Sequence, residues 1–258
     1  MIDARALTLT LGGTVVVDAV DARLSPGRIT AILGPNGAGK SSLLGLLAGE
    51  FRPQSGTVSL DGVCLSRWNA RDLACRRAVV PQSAQLAFPF TVEEVVRMGF
   101  ALRPPPPDRR AAIVARAMEA ADIGHLAQRS MPTLSGGERQ RTHFARALAQ
   151  LAANAGPRPA CLLLDEPTAS LDPAHQHGLL AAVRAWVRDK GGMAAIVLHD
   201  LALAAHYADD MLLLDRGRVA ALGAMQSLDA QVLEQVYGIG FDRLTDECGR
   251  VRFLARGL

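Results

Sequence analysis

Apolar and polar residues alternate over residues 6–11. Leu7, Leu9 and Leu11 fall on one side and Thr8 and Thr10 on the other, which predicts a half-buried strand. Gly12-Gly13 reads as a turn, and Val15-Val16-Val17 opens a second strand. Pro26-Gly27 leads into Ile29-Thr30-Ala31-Ile32-Leu33, an apolar run of the kind found in fully buried strands. Residues 41–48 then take a helical pattern. Turn residues at 53–56 and 61–62 bracket a short strand at 57–60. A short helix at 70–77 and a strand at 78–80 follow, ending at Pro81-Gln82.

The pattern changes near residue 86. Thr91 and Glu94 form the spacing of a capping box for a helix at 92–98. Pro104 to Pro107 reads as a stiff extended connector. Helices are predicted at 109–121 and 138–151, so residues 86–150 read as an all-helical insert in an α/β frame. The frame returns with the apolar strand 160–164, a helix at 173–190, a buried strand at 194–198 and a hairpin of 211–214 with 218–221. One helix, 228–237, and a terminal strand pair complete the chain.

Composition bounds the function. At 258 residues the chain suffices for one large α/β domain, or a core with a subdomain. A net charge of +3 and 4% aromatic residues argue against nucleic acid as a partner. Cys64, Cys75, Cys161 and Cys248 lack C-x-x-C spacing and read as free thiols of a reducing compartment. No signal peptide opens the chain, and no apolar run approaches the ~20 residues of a membrane span, so any membrane role is expected to go through a partner.

The chemistry concentrates at Gly34-Pro35-Asn36-Gly37-Ala38-Gly39-Lys40-Ser41, which fits G-x-x-x-x-G-K-[ST] between a strand and a helix. Glycines let successive N–H groups face one anion, and the helix N-terminus adds positive charge. Lys40 is expected at the β- and γ-phosphates and Ser41 on Mg²⁺. Only Lys40 and Lys190 of the 28 basic residues are lysine. A chain that otherwise writes positive charge as arginine keeps the slim ammonium at the one place a phosphate cradle needs it.

This loop alone leaves kinase, GTPase, ATPase and transporter motor open. Four further stretches bear on the choice. Asp165 and Glu166 end a buried strand, and successive strand residues point to opposite faces, so the two carboxylates are expected to do different work. Asp165 suits a Mg²⁺ contact and Glu166 the base that polarises an attacking water. Ser135, Gly136 and Gly137 open a helix and form a second anion site of the same physical type. Gln82 ends a strand, placed to sense Mg²⁺ and water. His199 also ends a buried strand, whereas His143, His175 and His177 read as core histidines. A simple kinase leaves Ser135-Gly136-Gly137 and His199 unexplained.

With these residues together, the chain resembles the nucleotide-binding subunits of ATP-binding cassette (ABC) transporters along nearly its whole length. The resemblance runs in order through residues 34–42 (Walker A, with Ser42 where threonine is common), Gln82 (the Q-loop), 134–140 (the signature motif, with Glu138 where many members have Gln), 162–166 (Walker B), Ser170-Leu171-Asp172 (the D-loop) and His199 (the switch histidine). It implies one domain, 1–258, with a P-loop NTPase (RecA-like) α/β core at 1–85 and 152–225. It adds an antiparallel β subdomain, an inserted helical subdomain at 86–151 and a C-terminal extension at 226–258. It implies ATP and Mg²⁺ as ligands and catalytic roles for Glu166, His199 and Gln82. It also implies a head-to-tail homodimer in which Ser135, Gly136, Gly137 and Asp172 complete the partner's nucleotide site. Two transmembrane permease subunits and, indirectly, a periplasmic solute-binding protein would complete the assembly at the cytoplasmic face of the inner membrane. The stretches 82–99 and 198–209 are similar to importers of iron chelates, hemin and cobalamin. The 152–159 connector and Val236-Tyr237-Gly238 are similar to the hemin-import branch. Siderophore or cobalamin import, or a soluble ABC ATPase, are the alternatives. Leu11 stands where the family usually has an aromatic that stacks on adenine.

Overall fold

The computed structural model describes residues 1–82, 88–101, 103–154, 156–247 and 249–256. Cys248, residues 83–87 of the importer-like stretch and residue 155 of the connector lie outside the described residues. The chain forms two compact units, Met1–Arg67 with Met193–Leu258, and Trp68–Gly192.

The first unit begins with strands β1 (Ile2–Leu11), β2 (Thr14–Leu24) and β3 (Ile29–Leu33), then helix α1 (Lys40–Ala48), β4 (Ser55–Leu60) and β5 (Val63–Cys64). Strands β2-β1-β4-β5 make an antiparallel sheet in that order. β1 starts four residues before the predicted strand. Ala6 (φ 46°) and Ala19 (φ 50°) take left-handed backbone within β1 and β2, and the register slips beside them. The slip changes the phase of burial: Ile2 and Ala4 are buried before it, Leu7 and Leu9 after it. Leu11, expected to point inward with Leu7 and Leu9, is 41% exposed at the turn end of the hairpin, where it faces Thr14 across Gly12-Gly13.

The second unit holds α2 (Ala70–Arg76), β6 (Arg77–Val80), α3 (Val92–Arg97), α4 (Pro107–Ala120), α5 (Gly136–Ala153), β7 (Cys161–Leu164) and α6 (Pro173–Lys190). β6 and β7 pair in parallel, Val80 opposite Leu164. Among the described residues of 88–154, helices and short 3-10 turns are the regular structure, apart from one bridge between Thr91 and Ser130. The Thr91–Glu94 capping box forms in both directions. α5 buries Phe144, Ala145, Leu148 and Leu151. Its Gln150 Nε2 donates to the carbonyls of Ala74 (2.8 Å) and Arg77 (3.0 Å), holding the end of α2 and the start of β6.

The first unit resumes with β8 (Met193–Val197), α7 (Leu201–Tyr207), β9 (Asp210–Asp215), β10 (Arg218–Ala224), α8 (Ala230–Tyr237), β11 (Phe241–Thr245) and β12 (Val251–Ala255). β3 lies between β8 and β9, parallel to both, and β10 pairs antiparallel with β9. Every residue of β3 and β8 is buried. Helix α7 has no counterpart in the sequence reading; Asp200 caps it, accepting from the N–H groups of Ala202 (2.7 Å) and Leu203 (3.0 Å). The terminal strand pair is present as the β11–β12 hairpin.

Candidate functional site

In the first unit, the site begins where β3 ends. Gly34 (φ 139°), Gly37 (φ 80°) and Gly39 (φ 97°) carry the chain through backbone that side-chain-bearing residues rarely adopt. A Cβ on Gly34 would run into the Leu214 carbonyl, and one on Gly39 into the Val16 carbonyl. The loop is therefore pressed against β9 and β2. Gly217 closes its outer side, donating to the Ala38 carbonyl (3.0 Å) while its own carbonyl accepts from Asp18 (2.8 Å). α1 starts on Gly39 with no side chain capping its first turn, which leaves the helix end facing whatever the loop encloses. Lys40 is buried, and its Nζ donates to the carbonyls of Gly34 (2.8 Å) and Pro35 (2.9 Å). Asn36, Gly37 and Ser41 are exposed, Pro35 and Ser42 half-buried and Ala38 buried. His199 leaves the same sheet edge. The Leu198 N–H donates to the Ile32 carbonyl (3.2 Å), and His199 follows it into solvent.

In the second unit, Gln82 and Glu166 come together from residues 84 apart. β6 and β7 end side by side, the Asp165 N–H donating to the Val80 carbonyl (2.9 Å). Two residues beyond β6, Gln82 Nε2 donates to Glu166 Oε2 at 2.7 Å. Glu166 has φ 46°, a left-handed conformation that costs about 1–3 kcal/mol in a non-glycine residue and collects at functional positions. Asp165 and Glu166 are both half-buried.

The same unit carries Ser135, Gly136 and Gly137 at the start of α5. Ser135 caps that helix reciprocally. Its N–H donates to Glu138 Oε2 (2.7 Å), and its Oγ accepts from the Glu138 N–H (3.2 Å). The bond from the Ser135 N–H is the main reason the Glu138 carboxyl is held below the usual glutamate range. A Cβ on Gly137 would come within 2.9 Å of the Ser170 carbonyl and of Leu171 Cδ2, so the glycine allows α5 to begin directly against the loop before α6. Asp172 caps α6, accepting from the His175 N–H (2.9 Å) and contacting its Nδ1 (2.7 Å). The backbone N–H of His175 is the main reason its carboxyl is held below the usual aspartate range.

Two histidine readings change. His143 is buried, but His175 is half-exposed on Asp172 and His177 is exposed. His175 missed the core because the capping aspartate three residues before it draws its ring outward. That i, i+3 spacing is visible in the sequence. The described residues include no cluster of three or more His, Cys, Asp or Glu side chains suited to a metal.

The family model for ABC transporters matches residues 17–169. The chain belongs to the ABC transporter family. The ABC chain is 50% identical over 240 residues to the hemin import ATP-binding protein HmuV of Pseudomonas entomophila, covering 93% of each. Its fold is that of a chain solved in an inward-facing ABC transporter (TM-score 0.81, 24% identity, 99% of this chain and 97% of that one). It is also that of a dimeric ATP-binding cassette in a post-hydrolysis state with ADP and Pi (TM-score 0.77, 22% identity, 88% of this chain and 100% of that one). The architecture of this ABC chain is thus that of a P-loop NTPase. Among its described residues no helix is long and apolar enough to cross a membrane.

Proposed function

We propose that this chain is the ATP-hydrolysing subunit of a hemin importer. It works as a homodimer at the cytoplasmic face of a bacterial inner membrane, against two permease subunits served by a periplasmic solute-binding protein. The observation that carries the cargo assignment is the 50% identity to a hemin import protein over 93% of both chains.

The loop geometry supports the motor assignment. A triphosphate fits the uncapped start of α1 and the buried Lys40 ammonium, because a phosphate oxygen can replace the two carbonyls on which that ammonium rests. Gly34 to Ser42 are assigned to the nucleotide. Ser41, Gln82 and Asp165 are assigned to Mg²⁺, which when bound neutralises charge on the β- and γ-phosphate oxygens. Glu166 takes a proton from the attacking water, and His199 hydrogen-bonds the γ-phosphate. Ser135, Gly136, Gly137 and Asp172 of a second copy close the site, so binding draws two copies together and hydrolysis separates them.

The test is uptake in cells whose chain carries Lys40→Ala, with hemin, a ferric siderophore, inorganic iron and cobalamin supplied separately. Loss of hemin uptake alone is expected. Loss of siderophore or cobalamin uptake instead would keep the motor and move the cargo. Unaffected uptake of all four would remove the chain from these importers.

Leu11 leads to a second expectation. Leucine gives apolar contact but no ring face for a base, so the isolated chain is expected to hydrolyse ATP and GTP at rates within about threefold of each other, a gap of under ~1 kcal/mol. A strong ATP preference that disappears in Leu11→Ala would contradict this.

A further inference from the structure

Gly34 is held at both ends of its residue. Its carbonyl accepts from Lys40 Nζ at 2.8 Å. Its N–H donates to Tyr237 Oη at 3.1 Å, across 203 residues of sequence. Tyr237 is the last residue of α8, and Gly238 (φ 72°) ends the helix directly after it. Its ring stands edge-on to Phe241 at 5.9 Å, the first residue of β11. Asp229 caps the other end of α8 and Leu233 is buried beneath it, so the phenol is presented by an anchored element. Burial pushes the Tyr237 phenol above its ordinary range, which keeps the oxygen a neutral acceptor at physiological pH.

We infer that Tyr237 is a positioning residue for the phosphate loop, clamping the Gly34 peptide so that the loop keeps its curl when Lys40 turns from the Gly34 and Pro35 carbonyls to a nucleotide. The inference rests on the nucleotide role proposed above. Two features of the site call for such a clamp. Gly34 sits at φ 139° against the Leu214 carbonyl, a conformation with no local preference to hold it. The Lys40 contact that holds its other end is the one that nucleotide binding removes. The C-terminal segment thereby acts on nucleotide affinity without touching the nucleotide.

The experiment compares the full-length wild-type chain with Tyr237→Phe, which keeps the ring and its seat on Phe241 and removes only the acceptor oxygen. Three readouts are taken: ATP titration with the KM–kcat split, peptide-resolved hydrogen exchange around Gly34 without nucleotide, and thermal unfolding. KM for ATP is expected to rise about 3- to 10-fold, with kcat within about twofold, as for one lost hydrogen bond to a part-buried N–H. The Gly34 segment is expected to exchange faster. Equal KM and equal exchange in the two proteins would overturn the inference while leaving the proposed function standing. A lower unfolding temperature with unchanged ATP affinity would reduce Tyr237 to a packing residue and overturn it equally. Failure of the wild-type chain to bind ATP would overturn the proposed function, and this inference with it.

Discussion

Glu166→Gln is expected to lower ATP turnover by about a hundredfold to ten-thousandfold, the range lost with a positioned general base, while ATP binding persists. The substitution changes one oxygen for an amide nitrogen. The remaining oxygen can still accept from Gln82 Nε2, so the contact that now measures 2.7 Å has a replacement. The left-handed backbone at φ 46° is the same for either side chain. What disappears is the ability to take a proton from water. In the proposed head-to-tail arrangement a γ-phosphate that is bound and not cleaved would hold the two copies together, so the variant is expected to run as a dimer on a sizing column in ATP and Mg²⁺. A monomer there would count against the head-to-tail arrangement. Turnover above a tenth of the wild-type rate would mean that another group supplies the base.

Gly39→Ala should be nearly as damaging, by an unrelated route. The new methyl group would collide with the Val16 carbonyl, and φ 97° is unfavourable for alanine in any case. β2 has little room to retreat, because Asp18, two residues on, is tied through Gly217 to Ala38 in the same loop. Strain and displacement together should cost about 2–4 kcal/mol. In a chain of this size that lowers the unfolding temperature by about 4–15 °C, and ATP affinity should fall more than about tenfold. Gly37→Ala is the control. Gly37 also has positive φ (80°), but no atom lies within 4 Å of the added carbon. Its cost should stay near ~1 kcal/mol, the backbone penalty alone. Equal melting of the two variants would show that the approach to Val16 is soft.

Legibility in the sequence followed the distance over which each interaction is made. The strand, loop and helix around Lys40 are contiguous, and each sets the next, so their pattern reads directly. The capping boxes at Thr91 and Ser135 depend on two residues three apart, and both form as the spacing predicts. The start of β1 was hidden because the slip at Ala6 shifts buried positions from Ile2 and Ala4 to Leu7 and Leu9, and no single period-2 template spans it. Helix α7 was missed for another reason. Leu201-Ala202-Leu203-Ala204-Ala205 is apolar on nearly every side, so it lacks the stripe that marks a surface helix; Asp200 at its cap was the usable signal. The identities of the site residues were visible as motifs, but their partners were not. Nothing local links Gln82 to Glu166, or Tyr237 to Gly34, because those pairs exist only once parallel strands and a C-terminal helix have been brought alongside.

The Gln82–Glu166 hydrogen bond bears on what such a motor does while idle. For the base proposed at Glu166, an attacking water has to compete with Gln82 Nε2 for Oε2. Hydrogen bonds to charged groups contribute about 1.5–3 kcal/mol, enough to slow a reaction by roughly tenfold or more. On the proposed roles, ATP is expected to be bound without being cleaved at full rate while that bond lasts. On that reading the throttle and the spark are neighbours, and the throttle sits two residues beyond the end of β6, outside the loop proposed to hold the fuel.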